Sequence, residues 1–267
     1  MNEYMRSNQK MWDEYAHINS RSSFYQLDDF KAGVNKLNPL EREELGDVAG
    51  KRLLHLQCHF GMDTLSWARL GAQVTGMDFS HEAIQLAQQL SAELNIPARF
   101  IETDIYKLPE VLDESFDIVY TSYGVLTWLP DMKRWAQIAA QYVRPGGTFY
   151  IAEFHPFAWV FDYAASELLV KYPYFHDGVI ADDVIGSYAD PTAETVTKVS
   201  YEWAHPLGEI VTALIEAGLQ LEFLHEFPYT VYEQFPFVEK TDEHYWKLPG
   251  GARTIPLMFS IRAKKPE

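Results

Sequence analysis

Residues 51–65 read Lys51-Arg52-Leu53-Leu54-His55-Leu56-Gln57-Cys58-His59-Phe60-Gly61-Met62-Asp63-Thr64-Leu65. The stretch Lys51–Cys58 reads as a short apolar strand, and Gly61 opens the way to a helix that stops at Gly71. The same alternation continues outward. Gln73–Met77 reads as a second strand. Ser80 is a helix N-cap with Glu82 in the first turn, and that helix runs to about Leu94. Pro97 breaks it before a third strand, Ala98–Glu102. Phe116–Ser122 is a fourth strand. Pro130–Tyr142 is a helix entered at a proline, with Asp131 early. Arg144-Pro145-Gly146-Gly147 reads as a tight turn into a fifth strand, Thr148–Phe154. A helix over Leu207–Ala217 ends at Gly218, and two strands follow, Gln220–Glu226 and Pro256–Ala263. Strands alternating with helices imply βαβ units, hence an α/β, doubly wound, mostly parallel sheet of seven strands with helices on both faces.

The flanking regions differ in composition. Residues 1–50 are polar with spaced aromatics (Trp12, Tyr15, Phe24, Tyr25, Phe30), and read as two or three short helices laid on the body and closing over a site. Residues 51–156 read as the Rossmann-like β/α core, and residues 157–205 as an aromatic-rich insertion. Residues 206–267 complete the core, interrupted by the aromatic connection 227–255. The insertion and that connection are expected to form a cap over an acceptor pocket, since a structureless stretch of that length in a compact domain suggests function.

Charge excludes several classes of partner. The 267 residues carry 38 acidic and 22 basic side chains, a net charge of −16, which argues against nucleic acid, whose phosphates require clustered Lys and Arg. The single cysteine, Cys58, excludes an internal disulfide framework and a Cys-rich zinc site. Residues 1–15 lack the apolar core of a signal peptide, and no apolar stretch reaches the ~18–20 residues that cross a bilayer. The expectation is a cytoplasmic protein with no membrane partner, a monomer or homodimer.

In a doubly wound sheet, ligands bind outside the carboxyl ends of the strands. The loop after strand one ends in Gly61, where backbone passes close to a ligand or a following helix. Strand two ends in Asp78, whose carboxylate can accept both hydrogen bonds of a ribose diol. Asp104, after strand three, can accept from the exocyclic amino group of an adenine. Strand four runs out into Thr121-Ser122-Tyr123-Gly124.

With these residues in place, the chain resembles the class I S-adenosylmethionine-dependent methyltransferases, closely over residues 51–156 and more loosely over 207–263. The resemblance rests on the ordered set Gly61, Asp78, Asp104, Asp117 and Gly146-Gly147, and on Glu216-Ala217-Gly218-Leu219 before strand six. It implies a Rossmann-like fold with an antiparallel last strand, and S-adenosylmethionine as cofactor. It also implies cofactor contacts from Gln57, Cys58, His59 and Gly61 in the first loop, and from Asp78, Phe79 and Ser80 after strand two. Further contacts are implied from Asp104 and Ile105 as part of the adenine pocket, and from Thr121, Tyr15 and Tyr25. The family's first loop is an acid followed by Gly-x-Gly-x-Gly. Here those positions hold His55, Gln57, His59 and Gly61, so one glycine of three remains. The string His-Leu-Gln-Cys-His-Phe-Gly is identified with a bacterial small-molecule branch of the family.

Each residue also has a plainer reading. Asp78 can serve only the Ser80 helix, and Asp104 only a turn. His55, on a buried strand, reads as a core histidine, whereas His59 either packs or binds the cofactor carboxylate. Trp12, Tyr15 and Tyr25 either pack or close over the sulfonium. Glu153, His155 and His205 read as substrate-facing groups in preference to a metal site, because Glu-x-His is not a zinc helix motif. His155, Tyr123 and His205 are the candidate bases for a hydroxyl acceptor, with Tyr123 alternatively a lid aromatic. The expected reaction is methyl transfer to O or N of a small neutral or cationic acceptor, with no metal. Two other classes stand beside it: a non-catalytic cofactor-binding module, and an NAD-binding oxidoreductase, for which Gly-x-Gly-x-x-Gly is missing.

Overall fold

The computed structural model describes residues 2–241, 244–250 and 254–267. Helices α1 (Glu3–Arg21), α2 (Leu27–Lys31) and α3 (Pro39–Leu45) precede β1 (Arg52–Leu56), α4 (Met62–Arg69), β2 (Gln73–Asp78), α5 (His81–Leu94) and β3 (Arg99–Glu102). Then come α6 (Leu108–Val111), β4 (Phe116–Ser122), α7 (Met132–Tyr142) and β5 (Val143–Phe154). Two strands of the insertion, β6 (Ile180–Asp183) and β7 (Val199–Glu202), lead to α8 (Leu207–Glu216) and β8 (Gln220–Phe227). The short strands β9 (Tyr229–Thr230), β10 (Glu239–Lys240) and β11 (Trp246–Lys247) precede β12 (Met258–Lys264).

Seven strands form one sheet in the order β3-β2-β1-β4-β5-β12-β8. The pairs among the first five are parallel, and β12 is antiparallel to both neighbours. Strand order reverses beside β1, between β2 and β4, which puts the switch point of the sheet at the loop after β1. One face is covered by α7 and α8, whose apolar stripe (Trp135, Ala136, Ile138, Ala139, Ile210, Leu214) is buried against Leu54, Val119, Phe149 and Ile261. The spacing i, i+3, i+4 on α7 is what an amphipathic helix needs to do this. On the other face Trp67 of α4 packs among Leu53, Tyr120 and Tyr150, and α5 packs with Phe30, Phe60 and Phe100.

The structure departs from the sequence reading in three places. The N-terminal region holds one helix of 19 residues, α1, and two short ones; Asn2 caps α1 by accepting from the Met5 N–H at 2.9 Å. Helix α7 starts after Asp131, whose side chain accepts from the Arg134 N–H at 2.9 Å, so the carboxylate cap and not Pro130 sets the boundary. Arg144–Gly147 lies inside β5: the pairing register shifts between Phe116 and Ile118, and Gly146, at φ +70°, donates its N–H to the Lys265 carbonyl. The two glycines therefore absorb a bulge within a paired strand.

The insertion and the 227–255 connection pack as two groups. Residues Ala158, Val160 and Phe161 share an apolar cluster with Phe235, Val238 and Leu257. The β6–β7 hairpin lies instead against α1, where the Asn8 side chain accepts from the Tyr201 N–H and donates to its carbonyl. No described helix is long and apolar enough to cross a membrane.

Gly61 is a tight point of the fold. It sits at φ +80°, and a Cβ there would lie 2.8 Å from the Phe100 ring and 2.9 Å from the Ala87 Cβ. Gly61→Ala is therefore expected to destabilise the protein by about 1–3 kcal/mol, from backbone strain plus overpacking. Urea unfolding is the check; an unchanged midpoint would contradict this packing.

Candidate functional site

The loop after β1 turns on three left-handed residues in alternation: Gln57 (φ +56°), His59 (φ +49°) and Gly61 (φ +80°). Two of the three are not glycine, and each such residue costs on the order of 1 kcal/mol. Hydrogen bonds offset that cost. The Gln57 side chain donates to the Val125 carbonyl at 3.1 Å, and the His59 N–H donates to Asp78 Oδ2 at 2.8 Å. Cys58 donates its N–H to the Met77 carbonyl, which lays the loop along the end of β2. Its thiol is buried against Gly76, where a Cβ would lie 2.8 Å from the sulfur.

Asp78 is the junction of this edge. Oδ2 accepts from His59 and Oδ1 accepts from the Ser80 N–H at 2.9 Å. Burial pushes its pKa up to about 6, against the opposing pull of those N–H groups. Ser80 caps α5 by accepting from Ala83 and donates its hydroxyl to Asp13 of α1 at 2.7 Å. The Phe79 carbonyl accepts from Gln9 of α1. Asp104 lies next along the edge: Asp78 pairs with Glu102, and the Thr103 N–H donates to the Asp78 carbonyl at 2.9 Å. The Asp104 carboxylate is buried and accepts from the Tyr106 N–H at 3.0 Å, while Ile105 is part of the apolar core. Gln57, Cys58, His59, Gly61, Asp78, Phe79, Ser80, Asp104 and Ile105 thus share the carboxyl edge of β1, β2 and β3. Thr121 turns inward, its hydroxyl donating to the Leu56 carbonyl at 3.1 Å. Asp117 lies at the opposite end of β4, where it accepts from the Arg52 N–H and from Arg144.

Aromatic residues from three segments converge on His59. Trp12 lies 5.3 Å and Tyr25 5.8 Å from its ring, Tyr15 packs on Trp12 at 5.6 Å, and Tyr188 of the insertion joins Trp12, Tyr15 and Tyr25. The Asn19 amide N–H approaches His59 Nε2 at 3.1 Å while its carbonyl oxygen accepts from Ser187. Nε2 is therefore the acceptor, and the neutral ring carries its proton on Nδ1. Burial holds this histidine neutral, its pKa lowered to about 3. Three buried polar atoms here lack a protein partner: His59 Nδ1, Gln57 Oε1 and Trp12 Nε1.

The candidate bases are engaged elsewhere. His155 Nδ1 accepts from the Phe157 N–H at 3.0 Å, so Nε2 carries the proton toward Glu226 Oε1 at 2.9 Å. His205 contacts the Leu129 carbonyl at 2.7 Å and Glu209 at 3.1 Å. Tyr123, at φ +41°, donates its hydroxyl to Glu41. Glu153 does not pair with His155: its buried carboxylate accepts from the N–H groups of Gly124, Val125, Leu126 and Phe154, which fixes the loop after β4. Among the described residues there is no group of three metal-ligating side chains. His55 is a core histidine, bonded to Thr64 Oγ1 at 2.8 Å.

Glu41 was missed in the sequence because it stands in the run Glu41-Arg42-Glu43-Glu44, which reads as a solvated face. It is fully buried and accepts from the Asn38 N–H at 3.1 Å and from Tyr123. The pattern Asn38-x-x-Glu41 is a capping box and was the available signal. Burial, with Asp63 nearby, pushes the Glu41 pKa up to about 8.

Comparison with known proteins gives the following. Residues 54–151 match the family model of a methyltransferase domain. A ubiquinone biosynthesis O-methyltransferase of Photorhabdus laumondii is 28% identical over 156 residues, which span 56% of this chain and 65% of that protein. The chain therefore spans less than two thirds of the curated relatives it matches first. A solved S-adenosylmethionine-dependent methyltransferase of Clostridium acetobutylicum superposes with a TM-score of 0.58 at 14% identity, over 96% of this chain and all of that one. Another, of Mesorhizobium loti, gives 0.55 at 19% identity, over 88% and 100%.

Glu41 generates a pH prediction. Its folded pKa lies above the unfolded value of 4.5, so the folded state holds the proton more tightly and loses stability as pH rises toward 8. His55 and His59, with lowered pKa values, oppose this only below about pH 6.5. Between pH 8 and 6.5 stability should therefore rise as pH falls, Glu41 contributing up to about 1.4 kcal/mol per unit and Asp63, whose pKa burial raises to about 7, adding to it in the same direction. In Glu41→Gln that slope should flatten, and denaturant unfolding across the window measures it. An equal slope in both proteins would contradict the assignment.

Proposed function

We propose that this chain, which carries a methyltransferase domain at residues 54–151 on a class I S-adenosylmethionine-dependent methyltransferase fold, moves a methyl group from S-adenosylmethionine to an oxygen or nitrogen of a small molecule. The observation that carries the reading is the edge formed by Gln57, His59, Asp78 and Asp104. It pairs a left-handed loop with two buried carboxylates at adjacent strand ends, and leaves one donor and one acceptor without protein partners.

Those leftover atoms fit the amino-acid end of the cofactor. His59 Nδ1–H donates to its carboxylate and Gln57 Oε1 accepts from its ammonium. Asp78 holds the ribose hydroxyls on lone pairs that His59 and Ser80 leave open. Asp104 takes the adenine amino group, with Phe79 and Ile105 as walls. Cys58, Ser80 and Thr121 have their side chains committed to protein partners and shape the backbone around the site. The rings of Tyr15 and Tyr25 close the edge from the N-terminal segment and exclude water.

Bound there, S-adenosylmethionine supplies a methyl carbon made electrophilic by positive sulfur. An acceptor oxygen or nitrogen held against that carbon would take the methyl group as the S–C electron pair stays with sulfur, and the acceptor's proton would pass to solvent. The chain's own tasks are alignment, exclusion of water and handling of at most one proton. His155, His205 and Tyr123 have their polar atoms engaged, so this arrangement suits an acceptor that needs no strong base, neutral or cationic, in the cytoplasm. The same engagement favours one second reading, a non-catalytic module that binds the cofactor without turnover; methyl transfer to any acceptor separates the two.

Calorimetric titration with S-adenosylmethionine, S-adenosylhomocysteine and NAD tests the proposal. Micromolar binding of the first two and none of NAD is expected. Asp78→Asn should weaken S-adenosylhomocysteine binding by about 1–3 kcal/mol, the loss of a buried hydrogen-bond acceptor. Binding of NAD alone, or an Asp78 variant of unchanged affinity, would overturn the assignment.

A further inference from the structure

Side chains from α1 and the insertion decide how His59 presents its ring. Asn19, in the last turn of α1, is fully buried. Its amide nitrogen reaches His59 Nε2 at 3.1 Å and the Tyr188 hydroxyl at 3.0 Å, and its Oδ1 faces Ser187 Oγ at 2.8 Å. Ser187, also buried, fixes which way that amide points. Its oxygen accepts from the N–H groups of Ala189 at 3.2 Å and Asp190 at 3.1 Å. Both lone pairs are then filled, and the hydroxyl proton can go only to an acceptor. The Asn19 atom opposite Ser187 is therefore oxygen, and the atom opposite His59 is nitrogen. A flipped amide would set N–H against O–H with no acceptor between them. The donors run one way, from Ser187 through Asn19 to His59 Nε2, and leave the imidazole proton on Nδ1.

The turn that carries Ser187 has little freedom to adjust. Ser187 and Asp190 exchange both backbone hydrogen bonds, at 3.0 and 3.1 Å. Gly186 stands at φ +66°, and a Cβ there would lie 2.5 Å from the Pro191 backbone, so only glycine lets the chain pass. Downstream, the Glu14 carboxylate of α1 accepts from the Val196 N–H at 2.6 Å and the Thr197 N–H at 3.0 Å, which seats the insertion on the helix that carries Asn19. At the other end of the chain of bonds, His59 Nδ1 is buried and has no partner among the described residues. Burial keeps the ring neutral, so its one proton makes Nδ1 a donor only. A donor fixed in this way suits an anionic oxygen and opposes an ammonium.

We propose that Ser187, acting through Asn19, is a positioning residue: it holds His59 in the Nδ1–H tautomer, and the insertion thereby selects ligands that carry a carboxylate. Neither Ser187 nor Asn19 needs to touch the ligand. The proposal rests on the methyltransferase reading for the identity of that ligand, the cofactor with its amino-acid end, and on the Ser187–Asn19–His59 chain alone for the tautomer.

Two measurements on the full chain test it. Proton–nitrogen correlation spectra of histidine-labelled protein at neutral pH read the tautomer, with the His59 signals assigned by their loss in His59→Gln. The wild type should show Nδ1 protonated and Nε2 bare, and Ser187→Ala a shift toward the Nε2–H form. Tyr188→Phe, which removes the other Asn19 partner and leaves the relay, should keep the wild-type pattern. Calorimetry then compares S-adenosylhomocysteine with 5′-methylthioadenosine, which has the same nucleoside and a neutral sulfur but lacks the amino-acid end. The wild type should prefer S-adenosylhomocysteine by at least about tenfold, as charge-assisted hydrogen bonds allow. In Ser187→Ala its affinity should fall with the remaining Nδ1–H population, by about threefold or more, while 5′-methylthioadenosine stays within about 1.5-fold. A bare Nδ1 in the wild type, which needs no variant to observe, would overturn the proposal. So would an unchanged tautomer in Ser187→Ala, an equal shift in Tyr188→Phe, equal weakening of both ligands, or a wild type that binds both ligands alike. If the wild type binds neither ligand, the methyltransferase reading fails, and the spectra still decide the relay.

Discussion

One carboxylate receives the backbone of two elements. Asp78 accepts the N–H of His59 on one oxygen and that of Ser80 on the other. It thereby binds the loop after β1 to the start of α5 at the switch point of the sheet. Without that acceptor, His59 has little reason to remain at φ +49°, a conformation that L-residues with side chains avoid. The same group is buried and its pKa raised, so its charge is held at a cost that the two N–H groups only partly offset. A polar ligand donating to its remaining lone pairs relieves that cost, which is how a structural clamp and a binding group can be one residue.

The rest of the site extends this junction. Ser80 passes it to Asp13 and hence to α1, and α1 carries Trp12 and Tyr15 over the loop. Asn19 fixes the tautomer of His59 and, through Ser187 and Tyr188, ties the loop to the insertion. On the other side of β1, Glu153 gathers the N–H groups of residues 124–126 and Glu41 receives Tyr123. Buried acids that collect backbone donors are the recurring device of this chain. They explain part of the strongly acidic composition without reference to any partner.

Much of this was legible in the sequence. Elements 51–154 carry strong punctuation (Gly61, Gly71, Ser80, Pro97), and the strand at 116–122 is found where its apolar run ends. Asp78 and Asp104 could be placed because strand ends fix where their side chains stand. The roles of His155, His205 and Glu153 were not legible, since they depend on partners far along the chain: Glu226, the Leu129 carbonyl and the loop at 124–126. Glu153 and His155 both read as substrate-facing in the sequence, but Glu153 is held by the N–H groups of residues 124–126, and His155, just past the end of β5, is held by Glu226 and the Phe157 N–H. Nor could the sequence reveal that Gln57 and His59 hold the left-handed positions of absent glycines. Substitution at a glycine position suggests a lost conformation, whereas here hydrogen bonds retain it.

The central claim is that the Asp78 junction is a ligand-binding edge as well as a brace. A crystal structure of the chain soaked with S-adenosylhomocysteine tests it most directly. The account predicts the ribose hydroxyls on Asp78, the adenine beside Asp104 and the amino-acid end between Gln57 and His59. Density for the ligand elsewhere, with Asp78 bound only to His59 and Ser80, would contradict it and leave the carboxylate as a brace alone.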